Sequence, residues 1–114
     1  MSTAADPSSE KAGKYFLISL KTVPGRALSA EVLGLHAAHL SELDGSGRLV
    51  LAGPVPERSG GLIVLRVASL ADAMAVAEED PLVRGGYQTY ELGTWLMSNR
   101  RNGYRPDLQE EHQK

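Results

Sequence analysis

The order in which strand-like and helix-like stretches follow one another constrains this chain more than any other feature. KYFLISLK (14–21) is rich in aromatic and aliphatic residues and stops at the Val23-Pro24-Gly25 turn, so it reads as a first strand. Ser29 offers an N-cap with Glu31 in the first turn. Val32, Leu35, Leu40 and Leu43 then recur at helical spacing until Asp44-Gly45-Ser46-Gly47 ends the element. RLVLAG (48–53) is a second strand closed by Gly53-Pro54, and a loop through Ser59-Gly60-Gly61 leads to a third, LIVLRVA (62–68). Ser69, with Asp72 three residues on in the manner of a capping box, opens a second helix. Its buried stripe is expected to be Leu70, Ala73, Met74 and Ala77, with Glu78 and Glu79 facing water. Asp80-Pro81 stops this helix, because the residue before a proline disfavours helical geometry. Residues 82–86 turn through Gly85-Gly86, and YQTYELGTW (87–95) alternates as a last strand.

The resulting order, βαββαβ, predicts an α+β fold of the ferredoxin-like kind, an antiparallel sheet with both helices on one face. Two helices cover only one side of such a sheet. The other side still carries apolar residues, so a homodimer is expected to bury it, with a cleft between sheet and helices in each copy. At 114 residues the chain is long enough for one domain, placed at 13–98. Residues 1–12 (MSTAADPSSEKA) read as a disordered leader, and 99–114 (NRRNGYRPDLQEEHQK) as a polar C-terminal tail.

Composition removes several classes of function. With no cysteine there is no disulfide, thiolate nucleophile or Cys-ligated metal centre. A formal net charge of −2 with interspersed signs makes no electrostatic case for nucleic acid or an anionic membrane. No apolar run reaches the length of a membrane span, and no secretory leader opens the chain, so a cytoplasmic location is expected. Gly45-x-Gly47 follows a helix and precedes a strand, the reverse of the order that cradles phosphates, so no nucleotide cofactor is expected.

What chemistry there is falls on a few side chains. His36 and His39 lie one turn apart within the apolar stripe of the first helix, His36 nearer its centre. Either is open to two readings, a core imidazole satisfied by a backbone carbonyl or a functional one. A metal needs a third and fourth ligand, and none clusters with them. Asp80 by itself is a helix terminator. The C-terminus of a helix disfavours an isolated anion, so a carboxylate there calls for a partner, either a histidine or Arg84. A neutral imidazole beside a carboxylate is the smallest side-chain unit that moves a proton at neutral pH.

GRLVLAGP (47–54), GGLIVLRVASLADAMAVAEEDPLVRGG (60–86) and a strand ending at Trp95 resemble the YCII-related (YciI-like) proteins over about residues 14–97. The resemblance implies a dimeric α+β barrel, distantly similar to muconolactone isomerases. It also implies an acid–base pair made by a helix-1 histidine and the aspartate of the D-P dipeptide, here Asp80. A following leucine points to His39-Leu40 as that histidine. The eleven-residue distance to Gly47 points to His36, and that gapless spacing also sets Leu40 and Leu43 on the family's apolar positions. His36 is taken.

Members of the family include a dehalogenase acting on a chlorinated muconolactone. The reading is therefore a homodimeric, cofactor-independent enzyme with His36 and Asp80 catalytic. Its substrate would be a small cyclic or unsaturated organic acid, lactone or polyketide-type compound, and its reaction isomerisation, dehydration or elimination. His39, Arg84, Gly53 and Pro54 are expected to help bind it, with no metal and no cofactor. The competing readings are a non-catalytic dimeric domain that binds a metabolite or protein and, less favoured by the low aromatic content, a cofactor-free oxygenase.

Overall fold

Strand β1 (Lys14–Thr22) lies at the centre of the protein, because its residues are apolar on both faces. In the computed structural model, which describes residues 14–106, β1 pairs antiparallel with β3 (Gly60–Leu65) on one side and β4 (Gln88–Leu96) on the other. β2 (Leu49–Val55) forms the edge beyond β3, so the four-stranded sheet has the order β2-β3-β1-β4. With helices α1 (Ala30–Gly45) and α2 (Leu70–Glu79) in the crossovers, this is the ferredoxin-like βαββαβ arrangement. Among the described residues no helix is long and apolar enough to cross a membrane.

The period of two along each strand sorts the side chains. Phe16, Ile18 and Leu20 of β1 face the helices with Ile63 and Leu65 of β3. Leu43 of α1 and Ala73, Val76 and Ala77 of α2 close this core, with Leu92 and Tyr90 of β4 against it. The register sends Tyr15, Leu17, Leu62 and Val64 to the opposite face, alongside Leu51 and Trp95. Leu51 is 60% exposed and Trp95 43%, so that face is apolar at its surface as well as beneath it.

Ser29 caps α1 by accepting from the Val32 amide, and Ser69 caps α2 by accepting from Asp72. The buried stripe of α1 keeps Val32 and Leu43, with Leu40 against the core, and loses Leu35, whereas that of α2 is rotated from the expected one. In α2 it runs Ala73, Val76, Ala77, while Leu70 and Met74 are exposed. The two alanines let the backbone sit close to the sheet and turn the larger flanking side chains outward. In α1 Leu35 is 54% exposed, because it lies about 80° round the helix from the buried Leu43.

Element bounds also shift. β3 begins at Gly60 rather than at residue 62 and ends at Leu65, although the Arg66 amide still donates to the Arg48 carbonyl. β2 runs through Pro54 to Val55, which its edge position permits. The turn expected at 82–86 is helical in its first part, where a short helix, α3 (Pro81–Arg84), precedes Gly85-Gly86. The leader at 1–12 lies outside the described residues, as does the tail beyond 106. Within the tail, Asn99 and Asn102 cap each other reciprocally and Asn102 Nδ2 donates to the Met97 carbonyl at 2.8 Å, which builds a defined turn.

Candidate active site

Two glycines shape the floor of the space between α1 and the sheet. A Cβ on Gly60 would stand 1.8 Å from the Leu20 carbonyl oxygen, and one on Gly61 2.9 Å from that of Gly53. Only glycine lets β3 start this close to both neighbours. Above this floor is a cavity of about 540 Å³, walled by Leu20, Leu28, Leu33, Leu40, Ile63 and Leu82. Ala52, Gly53 and Pro54 of β2 border it, and His36, Thr22, Ser59 and Gln88 are its polar side chains.

Asp80 holds His36 in this wall. It is the last cap of α2 and the first of α3, and only 1% of it is exposed. Its Oδ1 accepts from the Leu82 amide at 2.9 Å and from His36 Nδ1 at 2.9 Å. Its carbonyl accepts from the Val83 and Arg84 amides. The donors of α3 thus offset the unfavourable end of α2, which is how a carboxylate is kept at that position. In the neutral imidazole Nδ1 carries the proton donated to Asp80, and Nε2 then keeps a lone pair. With 18% of its side chain exposed, His36 reaches both Asp80 and the cavity. Asp80 Oδ2 is enclosed with no partner among the described residues.

The other sequence-proposed residues divide. Gly53 and Pro54 border the cavity. His39 does not; it is half-buried, with Nε2 enclosed and unpartnered among the described residues. The Arg84 side chain is exposed, outside the cavity and not paired with the Asp80 carboxylate, because α3 turns it outward; only its backbone amide reaches Asp80. Thr22 and Gln88 went unnoticed in the sequence. The signal was there, since Gln88 shares the inward period of Tyr90 and Leu92 and is the polar member of an apolar row. Away from the cavity, the Tyr90 hydroxyl donates to Glu78 Oε2 at 2.8 Å. That bond, with lesser help from burial and the Glu78 charge, pushes the phenol above its usual pKa.

The sheet order, the cavity and the D-P aspartate agree with a match to the YCII-related domain over residues 14–96. The chain belongs to the YCII-related domain family. A relative of this YCII-related domain, the uncharacterized protein YjpA of Bacillus subtilis (strain 168), is 27% identical over 83 residues. The match covers 73% of this chain and 94% of that protein. Among solved structures the domain is similar to 5-chloro-2-hydroxyhydroquinone dehydrochlorinase (TftG) from Burkholderia phenoliruptrix AC1100, in complex with 2,5-dihydroxybenzoquinone. There the TM-score is 0.55 at 24% identity, covering 71% of this chain and 92% of the other. That likeness establishes a shared fold.

Proposed function

We propose that this YCII-related domain is a cofactor-independent enzyme in which His36 and Asp80 form an acid–base pair. It acts on a small cyclic or unsaturated organic acid, lactone or polyketide-type compound held in the cavity. The observation that carries this reading is the 2.9 Å bond from His36 Nδ1 to a carboxylate that is 1% exposed, at the wall of a largely apolar cavity. Nε2 takes a proton from a carbon next to a carbonyl, and Asp80 steadies the imidazolium that results. In an isomerisation the proton returns to a different carbon. In an elimination a halide or hydroxyl leaves as the carbon–carbon double bond forms, and hydroxyl departure consumes the proton from the imidazolium. The similarity to a dehydrochlorinase supports elimination of a halide as the first reaction to try.

The exposed Leu51 and Trp95 support a second copy against the open sheet face, which makes the working form a homodimer. The test is a panel of chlorinated hydroxyhydroquinones and muconolactones, followed by chloride release. His36→Ala should lower kcat by about 10²–10⁴-fold on any substrate found. Unchanged turnover in that variant refutes the proposal. One observation favours a second reading: Asp80 Oδ1 also caps α3, so the pair has a structural task. In a non-catalytic binding domain, His36→Asn would lower stability and abolish no turnover.

A further inference from the structure

The cavity has polar atoms at a second place, remote in sequence from His36. Thr22 ends β1 and Gln88 begins β4, and the register sets them directly opposite each other. Both line the cavity. Gln88 is 6% exposed; its Nε2 donates to Thr22 Oγ1 at 3.0 Å, and its Oε1 is enclosed with no partner among the described residues. A buried amide with one end unpaired is costly, and native proteins leave few of them.

We infer that Thr22 and Gln88 form a ligand-binding pole that recognises a hydroxyl group, which rests on the cavity's being the substrate site. The chemistry follows from the amide. With Nε2 bonded to Thr22, the free Oε1 needs a donor. With the amide turned over, Thr22 donates to Oε1 and the free Nε2 needs an acceptor. A hydroxyl answers both orientations, whereas an ether or a methyl group does not. Oε1 is enclosed as the amide stands; the terminal torsion of glutamine is broad, and recognition requires the amide to turn about it to meet a ligand in the cavity. The cavity thus selects a small apolar body bearing at least one hydroxyl, held at the β1–β4 end while His36 acts from α1.

Phenol, anisole and toluene are the probes, titrated into the ¹⁵N-labelled full chain. Phenol should shift the Gln88 side-chain amide signals and bind about three- to tenfold more tightly than anisole. Gln88→Met should remove that preference while leaving anisole binding unchanged, and Thr22→Val should reduce it. The double variant Thr22→Val/Gln88→Met replaces both partners by apolar groups of similar shape. It should unfold at the same denaturant concentration as the wild type or a higher one. Equal binding of phenol and anisole by the wild type overturns the inference, as does no binding of any probe, or a preference that survives in Gln88→Met. So does a lower unfolding midpoint in the double variant, which would make the pair a strand-holding bond. The preference should persist in His36→Asn, so loss of this pole and loss of the acid–base reading are separate results.

Discussion

Replacing Asp80 separates the contributions of its oxygen and its charge. Asp80→Ala deprives the Leu82 amide, in a residue 2% exposed, of its acceptor, and frees the Nδ1 proton of His36. A buried donor left unpaired costs about 1–3 kcal/mol, and the imidazole, with 18% of its side chain exposed, recovers part of its loss from water. Removing a buried carboxylate whose Oδ2 has no partner returns some desolvation energy. The net loss is about 2–3 kcal/mol. For a domain of this size it corresponds to roughly 10–20 °C in Tm. Asp80→Asn keeps an oxygen where Oδ1 stands, so both donors remain satisfied, but its NH2 takes the enclosed, unpartnered place of Oδ2, and the cost is about 1–2 kcal/mol. Urea unfolding followed by far-UV circular dichroism, with a thermal scan alongside, measures both variants. An alanine variant within 0.5 kcal/mol of wild type refutes the reasoning. An asparagine variant less stable than the alanine one does so too, since the retained oxygen would then carry none of the stability.

Four further outcomes follow from the geometry. Ring ¹⁵N shifts should show His36 as the Nδ1–H tautomer in the wild type, and as a mixture with the Nε2–H form in Asp80→Ala. Gly60→Ala should cost roughly 3 kcal/mol or fail to fold, because its Cβ meets the Leu20 carbonyl, whereas Gly53→Ala, with nothing within 4 Å, should leave the urea midpoint nearly unchanged. In a spectrophotometric titration Tyr90 should ionise at a higher pH than a free tyrosine; its folded pKa is raised, so its contribution to stability is complete below about pH 10 and lost as pH rises through the folded value. Tyr90→Phe should remove that alkaline slope. Leu51→Lys should turn a dimer into a monomer in sedimentation velocity if the open sheet face joins two copies.

Local signals were sufficient for the element order, because each strand and helix carries its own period and its own cap. Ser29 and Ser69 are examples: each opens its helix where its side chain accepts from the third residue on. The rotation of α2 was not legible, since Leu70 and Met74 fit a helical stripe as well as Val76 does. Only the fit of Ala73 and Ala77 against the sheet chooses between them. The short helix at 81–84 looked like a turn because proline and two glycines bound it. Its cap, Asp80, ends one helix in the same stroke, which a linear reading treats as a stop alone. The approach of His36 to Asp80 came from likeness to a family rather than from spacing, for 44 residues separate them. Thr22 and Gln88 are 66 apart and meet only through strand register, which a single sequence does not specify.

Among the described strands, β1 comes earliest in the chain and one of its two neighbours comes last. β1 has β3 as an early partner, but its other edge stays bare until β4 leaves the ribosome. The nascent chain therefore carries an unpaired apolar edge while the residues between β1 and β4 are made, a state prone to association with other chains. Closing a loop of this length late in folding also slows the final step. Gln88 arrives with that final strand, so the α1 wall of the cavity can assemble during synthesis, while its hydroxyl-recognising end waits for the two ends of the domain to meet.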